Sequence, residues 1–597
     1  MISHSRGRWS PLWVSLIFAA VFILLRIAYR LVFGSFSWQA IGQAATLALP
    51  FAIVIVVCGF LSALVDVRKL LPAMSGLRYG RSIGTALAIA LSSYPTLIHQ
   101  VKHLDGARKL RSMRSRSAFL VPLLEHTIER AVALAAAMDV RGFGLGKPTS
   151  IDSTASIELE NFSLSFDGNQ VLSNITLSIP ARETIVLTGQ TGSGKTALLE
   201  SIAGLSQHFH NGHVEGTLFI GDIDRNITPP RHTAGMIGYV AQDVRLGFAA
   251  ATARDELEFG LRVSGHSRTE ASSRATELVS QFCLESFVDL PIELLSAGEA
   301  TRVAIAASLA LRPRILLLDE PLADLDSDAR DDLVLLLAEL QKTEKLTIVM
   351  AEHHTAKLQT LSPRWLTVSS GELREGQWSA DGEVLPARAL PIVGSDETFT
   401  VTELSLAYGD REIFSDVSLS LRVGEILAIT GANGVGKSSL LHALAATADA
   451  QDLLRLVPES VSSLFISETL EEELARADML AGHKNSGLTA MTFWSILATE
   501  ESPELLTVHP RDLSAGTQVA LAIALQLSWK PRVILVDEPT RGLDDIARTA
   551  MAEVLRCVAE TGTAIIFTSH DDVFVSDLNC RVLSLRQGGL VPVEVDA

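Results

Sequence analysis

Two stretches of this 597-residue chain repeat one pattern: Gly189-Gln190-Thr191-Gly192-Ser193-Gly194-Lys195-Thr196 and Gly431-Ala432-Asn433-Gly434-Val435-Gly436-Lys437-Ser438. Each follows a β-branched apolar run, Thr184 to Thr188 or Ile426 to Thr430, and leads into an Ala/Leu-rich helical stretch. The order strand, glycine turn, helix leaves backbone N–H groups at the helix start facing an anion. Gly189, Gly192 and Gly194, like Gly431, Gly434 and Gly436, let those groups curl round the β- and γ-phosphates of a nucleotide. Lys195 and Lys437 supply a point charge, and the Thr196 and Ser438 hydroxyls are Mg²⁺ ligands. Two α/β P-loop domains with ATP and Mg²⁺ as cofactors are therefore expected.

A second duplicated element completes the chemistry. Ile315 to Glu320 and Val533 to Glu538 are buried-strand patterns ending in two carboxylates. Asp319 and Asp537 are candidate Mg²⁺ ligands. Glu320 and Glu538 are candidates to orient or deprotonate the attacking water, the division that phosphoryl transfer needs.

The N-terminal region differs. Residues 1–145 hold 16 Lys/Arg against 5 Asp/Glu, a balance of +11, which leaves −29 for the remainder of a chain of net charge −18. Leu12 to Leu25 and Ala44 to Val65 are charge-free; Ser82 to Ile98 is a weaker apolar run, interrupted by Ser92, Ser93 and Pro95. Leu12 to Leu25, flanked by Arg8 and by Arg26 and Arg30, gives a membrane helix of about 20 residues if the arginine stems snorkel to the interface, and Ala44 to Val65 is long enough to span. Arg68-Lys69 and Arg78-Arg81 draw the segment between the second and third towards the cytoplasm. A multi-pass protein of the cell's inner (plasma) membrane with cytoplasmic ATPase domains is the expectation. Membrane-grade apolar runs among the basic residues speak against nucleic acid as a partner. Cys58, Cys283, Cys557 and Cys580 have no metal-ligand spacing, and the start does not read as a signal peptide.

Residues 102–143 read as a strongly basic run, Lys102 to Arg116, followed by a second helix, Leu120 to Val140, with Glu125, Glu129 and Arg130 on an Ala/Leu/Val surface. Ala107 to Ser112 and Ala137 to Gly142 share an Ala, three residues, an Arg, then a small residue. At helical pitch the Ala and Arg share a face, and Arg111 or Arg141 could reach a carboxylate or a helix C-terminus on a partner. The pattern alone leaves docking helices and ordinary amphipathic helices equally open.

Residues 157–597 resemble the ATP-binding-cassette (ABC) family. Leu295-Ser296-Ala297-Gly298-Glu299 and Leu513-Ser514-Ala515-Gly516-Thr517 match its signature loop, with Ala297 and Glu299 in place of the usual Gly and Gln. The resemblance implies a Q-loop glutamine and Mg²⁺ ligand at Gln242, D-loops at Asp324-Leu325-Asp326 and Leu543-Asp544, switch histidines at His353 and His570, and adenine-stacking aromatics at Phe166 and Tyr408. It further implies that the two domains pair within one chain. One site would combine Lys195, Asp319, Glu320 and His353 with Ser514 and Gly516; the other, Lys437, Asp537, Glu538 and His570 with Ser296 and Gly298.

The second domain departs from that pattern. Gln242 stands 10 residues before Thr252 and 14 before Glu256; the same steps back from Thr469 and Glu473 both land on Glu459. Lys437 to Glu459 is 22 residues against 47 from Lys195 to Gln242, so about 25 residues of a small β-subdomain are missing. Glu459 in the Q-loop position keeps an oxygen ligand, adds charge and loses an amide donor.

Cys58 to Gly144 resembles the C-terminal part of the T-component of energy-coupling factor (ECF) importers. Arg111 and Arg141 fall on that family's coupling arginines, Gly142 matches its glycine, and Ser112 replaces the other. The expected fold is an α-helical membrane domain with cytoplasmic coupling helices, followed by two α/β P-loop ABC ATPase domains. Expected domain bounds are 1–145 (coupling helices about 102–143), a 146–156 linker, 157–380, a 381–397 linker and 398–597. The implied function is the ATP-hydrolysing module of an importer, a translocase for a vitamin, vitamin precursor or metal ion. Its partners would be a membrane S-component, a further membrane subunit and the lipid bilayer. Two alternatives are an ABC exporter or lipid transporter and a soluble twin-cassette ATPase of translation. About three apolar runs before two cassettes disfavour the first; residues 12–98 and the short 377–396 stretch disfavour the second.

Overall fold

The computed structural model describes residues 10–33, 46–57, 120–143 and most of 156–593, with isolated positions between them. The chain divides into two compact units, Met1–Tyr94 and Pro95–Ala597.

In the first unit, α1 (Ser10–Phe33) is a 24-residue helix, and residues 46–57 are also helical. The Phe22 and Phe51 rings lie 6.0 Å apart. Among the described residues no helix is long and apolar enough to cross a membrane. The expected membrane domain and multi-pass inner-membrane placement are corrected on this ground. Arg26 and Arg30, read as flanks of the first apolar run, lie within α1; of the run from Ala44 to Val65 only 46–57 is described as helix. The third run, 82–98, and Arg111 lie outside the described residues.

The second unit opens with α2 (Leu120–Val140). There follow β1 (Ile157–Phe166), β2 (Asn169–Ile179), β3 (Thr184–Thr188), α3 (Lys195–Ala203), β4 (His213–Ile220), β5 (Ile223–Asp224), β6 (Ile237–Val240), α4 (Ala253–Val263), α5 (Ala297–Ser308), β7 (Ile315–Asp319), β8 (Thr347–Ala351), β9 (Arg364–Ser369) and β10 (Glu372–Glu375). One sheet runs β2-β1-β4-β5 and the other β10-β9-β3-β8-β7-β6. In the second sheet β3, β7 and β8 are buried along their whole length, which is why their sequences are continuous apolar runs and not alternating ones. Their crossovers place the β3 and β7 carboxyl ends, with the phosphate loop and Asp319, at one edge of a parallel sheet, where such sheets bind ligands.

The second cassette repeats the plan with β11 (Glu397–Tyr408), β12 (Arg411–Arg422), β13 (Ile426–Thr430), α6 (Lys437–Ala445), β14 (Leu454–Val457), α7 (Leu470–Leu480), α8 (Ala515–Leu527), β15 (Val533–Asp537), β16 (Ala564–Thr568), β17 (Arg581–Arg586) and β18 (Gly589–Pro592). Its main sheet runs β14-β15-β16-β13-β17-β18, but its antiparallel sheet has only β11 and β12. What the shorter sheet omits has a structural use in the first cassette. Arg225, after β5, is fully buried and donates to the carbonyls of Ile202 and Thr228 at 3.1 and 3.0 Å and to that of Ala203, closing the C-terminus of α3. Gly204 permits this: at φ +82°, a Cβ there would stand 2.5 Å from the guanidinium. Helix α6 ends instead on Ala446 in helical geometry.

The fold is thus corrected to two α/β P-loop domains, the first of which carries a docked helix, α2.

Candidate nucleotide sites

Both phosphate loops hold their lysines over their own backbone. Lys195 Nζ donates to the carbonyls of Gly189 and Gln190, each at 2.9 Å; Lys437 Nζ donates to Gly431 at 2.8 Å and Ala432 at 3.5 Å. Both lysines are buried. Burial lowers the Lys195 pKa, opposed by the charges of Glu320, Asp319 and, from the other cassette, Asp544. Two glycines of the first loop are fixed by space as well as by φ: a Cβ on Gly189, at φ +140°, would run into the Val368 carbonyl, and one on Gly194, at φ +108°, would lie 2.8 Å from Leu172.

The carboxylate pairs sit beside the loops but are held differently. Asp319 is buried and both its oxygens lack a hydrogen-bond partner. Burial and neighbouring Glu320 push its pKa up to about 7, against the pull of Thr196 and Lys195. A buried carboxylate in that state, next to a threonine hydroxyl, fits a divalent cation. In the second cassette Thr568 donates to Asp537 at 2.6 Å, and Ser438 also draws on that carboxylate; the equivalent of Thr568 is Ala351. Glu320 and Glu538 both occupy left-handed backbone, φ 46° and 47°, a conformation that costs a non-glycine residue about 1 kcal/mol. His353 Nε2 lies 3.1 Å from Glu320, and His570 Nδ1 lies 2.9 Å from Glu538. Burial raises the Glu538 pKa, but His570 and Lys437, 3.5 Å away, more than offset it and leave the carboxyl below its ordinary value.

The strand register fixes the Q-loop positions. Val240 pairs with Leu318 and Val457 with Val536, in each case the residue before the candidate Mg²⁺-ligand aspartate. Gln242 and Glu459 each lie two residues further on. Gln242 donates to Glu320 at 2.8 Å. Glu459 turns instead to Arg541, with 2.5 Å between their charged groups.

The cassettes meet at these sites. The Thr191 N–H, in the first phosphate loop, donates to Asp544 at 2.8 Å, and the Asn433 N–H, in the second, donates to Asp326 at 3.4 Å. Ser296 and Ser514 are the N-caps of α5 and α8. Glu299, the departure from the family's glutamine, closes a capping box: Ser296 N–H donates to it at 2.7 Å. A Cβ on Gly298 would stand 2.9 Å from Leu325, and one on Gly516 3.7 Å from Leu543. Each signature helix start therefore packs on its own D-loop. Phe166, at the end of β1, is partly buried against the core; Tyr408 ends β11.

Helix α2 seats on the first cassette through one short motif. Ala137 faces Gly247, whose Cβ would lie 3.5 Å from it. Arg141 pairs with Glu256 at 2.5 Å, and Glu256 is fully buried. The other oxygen of Glu256 accepts from the Ala249 and Ala250 N–H groups at 2.9 and 2.8 Å. Gly142, at φ +76°, ends the helix against Ala234. A cavity of about 550 Å³ beside this seat is lined by residues of α2, Ala133, Ala137 and Arg141 among them, and by Gln242, Thr196 and Asp319.

The family model for ABC transporters matches residues 172–323 and 414–541. A putative ABC transporter ATP-binding protein of Streptomyces avermitilis is 28% identical over 533 residues, spanning 73% of this chain and 93% of its own. A second, of Streptomyces coelicolor, is 28% identical over 529 residues, with 73% and 93% coverage. The solved structure of an RNase-L inhibitor superposes with TM-score 0.47 at 19% identity over 73% of this chain and 91% of that one. The two α/β P-loop domains that this family model matches lie within one chain, and ATP with Mg²⁺ fits them.

These findings correct the functional expectation. The family match falls wholly within the two ATPase domains, and no described helix meets the requirement for crossing a bilayer. The ECF importer module, its role as a translocase for a vitamin or metal ion, and its S-component, further membrane subunit and bilayer partners are not supported. What the family match supports is ATPase activity, not its coupling to a membrane.

Four participants escaped the sequence reading. Thr568 and Arg541 lie next to recognised motifs, but the first cassette has alanines, Ala351 and Ala323, in their places. Glu256 was used only as a spacing mark, and its pairing with Arg141 spans 115 positions. Glu352 is buried and accepts from the His353 and Leu322 N–H groups at 2.8 and 3.0 Å, fixing the switch segment; its position beside His353 was the available signal.

Proposed function

We propose that the chain is a twin-cassette ATPase that closes around two molecules of Mg-ATP at the seam between its cassettes and reopens on hydrolysis. The observation that carries this reading is the reciprocal pair of contacts, Thr191 to Asp544 and Asn433 to Asp326. Each D-loop aspartate reaches the opposite phosphate loop and brings with it the signature helix packed on that D-loop. Ser514 and Gly516 then serve the Lys195 site, and Ser296 and Gly298 the Lys437 site, each through an N-terminus that favours phosphate.

Mg²⁺ held by Thr196 and Asp319, with Gln242 beside them, or by Ser438 and Asp537, supplies charge neutralisation of the triphosphate. Lys195 and Lys437 exchange their loop carbonyls for phosphate oxygens. Phe166 offers adenine an aromatic face. Glu320 and Glu538 accept a proton from the attacking water, and His353 and His570 hold those carboxylates in place. Closure also moves Gln242, which shares a cavity with the seat of α2. Helix α2, held through Arg141, is the element to which the motion passes.

Double variants test the pairing. Lys195→Ala with Ser514→Arg damages one proposed site twice and should leave the turnover of either single variant. Lys195→Ala with Ser296→Arg damages both sites and should abolish ATP hydrolysis. The reverse result would mean that each site is completed within its own cassette.

A further inference from the structure

The second cassette differs from the first at two positions that meet in space. Ala323 and Arg541 each stand three residues after the water-positioning glutamate, in the same turn: the Ala323 N–H donates to the Glu320 carbonyl and the Arg541 N–H to the Glu538 carbonyl, both at 3.2 Å. Gln242 and Glu459 occupy the same register position two residues beyond β6 and β14. Gln242 with Ala323 in one cassette therefore becomes Glu459 with Arg541 in the other, and the two replacements form an ion pair at 2.5 Å.

A glutamate alone at this position would set a negative charge beside a triphosphate, and its repulsion would weaken nucleotide binding. An arginine alone would add a cation there. Together they are neutral, as the glutamine and alanine are. The pair also changes what the position touches. Gln242 holds Glu320 at 2.8 Å, whereas Glu538 is held by His570 at 2.9 Å and flanked by Lys437 at 3.5 Å.

We propose that Arg541 is a positioning residue of the Lys437 site: it neutralises Glu459 and turns it away from Mg-ATP, so that this site binds nucleotide with its base held independently of the Q-loop position. This rests on the reading of the Lys437 loop as a working nucleotide site. The first site keeps the glutamine link between nucleotide, base and the α2 seat; the second lacks it. The molecule then has one site that senses the Q-loop and one that does not.

The test is equilibrium binding of a fluorescent, non-hydrolysable ATP analogue with Mg²⁺ to the full chain carrying Lys195→Ala, which leaves the second site as reporter. Adding Arg541→Ala should weaken binding about fivefold, the scale of a half-exposed charge interaction. Further adding Glu459→Gln should restore the affinity, because the carboxylate that repels the phosphates is gone. The Arg541→Ala defect should shrink between about 50 mM and about 500 mM NaCl, since both side chains reach solvent. Should Arg541→Ala not fold, Glu459→Gln alone provides the test: it leaves the arginine charge facing the triphosphate and should tighten binding about threefold. An unchanged affinity in either variant, or an Arg541→Ala defect that neither Glu459→Gln nor salt relieves, would overturn the proposal. Absence of any binding in Lys195→Ala itself is a different result, which removes the second site from the proposed function and the inference with it.

Discussion

Asp544, on the second cassette, accepts a hydrogen bond from the backbone N–H of Thr191 in the phosphate loop of the first, at 2.8 Å. The same carboxylate caps the helix Asp545–Glu560 by accepting from the Ala547 N–H at 2.8 Å. Burial raises its pKa, but the Ala547 and Thr191 N–H groups and His353 outweigh that and hold it below the ordinary aspartate value. One side chain thus ties a helix start in one cassette to a phosphate loop in the other.

Asp544→Asn should separate these two tasks. The amide oxygen can still cap the helix, while the charge-assisted bond to Thr191 is lost. ATP turnover should fall about tenfold, the scale of one such bond, with the melting temperature nearly unchanged. Asp326→Asn should cost less, because its contact with Asn433 is longer, at 3.4 Å. Steady-state ATPase assays and thermal melts check both; equal losses would mean that the cross-cassette contacts do not differ in strength.

The two sites should be unequal. Glu320→Gln disrupts the carboxylate that joins Gln242 and His353, and Glu538→Gln disrupts one tied to His570 without a Q-loop glutamine. Turnover at saturating Mg-ATP should drop further in Glu320→Gln. Equal losses would show two sites working symmetrically.

Each phosphate-loop lysine should matter on its own. Lys195→Ala and Lys437→Ala remove a cation from separate triphosphates, so each should lower ATPase activity by at least about half and the double variant should be inactive. Full turnover in either single variant would remove that loop from the catalytic cycle.

Helix α2 should loosen in Arg141→Ala. The change leaves the fully buried Glu256 without its cationic partner, and breaking such a pair costs about 3 kcal/mol or more. Hydrogen exchange should quicken across Leu120–Val140 while nucleotide affinity stays within about twofold, since Arg141 lies outside the phosphate sites. Unchanged exchange in α2 would show that the ion pair does not hold the helix in its seat.

The sequence by itself determined the parts whose chemistry is contiguous. A phosphate loop is a strand, a glycine turn and a helix start, so the residues from Gly189 to Thr196 and from Gly431 to Ser438 specify backbone, charge and hydroxyl within one stretch. The buried strands ending at Asp319 and Asp537 are legible for the same reason, because a strand covered on both faces must be apolar throughout. ATP and Mg²⁺ follow from those segments. The membrane expectation from the N-terminal apolar runs did not carry over: among the described residues no helix is long and apolar enough to cross a membrane.

Tertiary structure alone decided the rest, because it depends on partners far apart in the chain. Asp544 and Thr191 are 353 positions apart. Arg541 and Glu459 are 82 positions apart, and no local pattern says that a glutamate in the Q-loop position will be neutralised. Thr568 supplies Asp537 with a donor that Asp319 lacks only because parallel strands set it alongside. Hydrophobic periodicity and glycine turns act over a few residues, and they place each motif in its element. Which charges face one another is settled by the packing of whole sheets and cassettes, where a carboxylate kept from water must find its partner wherever the chain brings one.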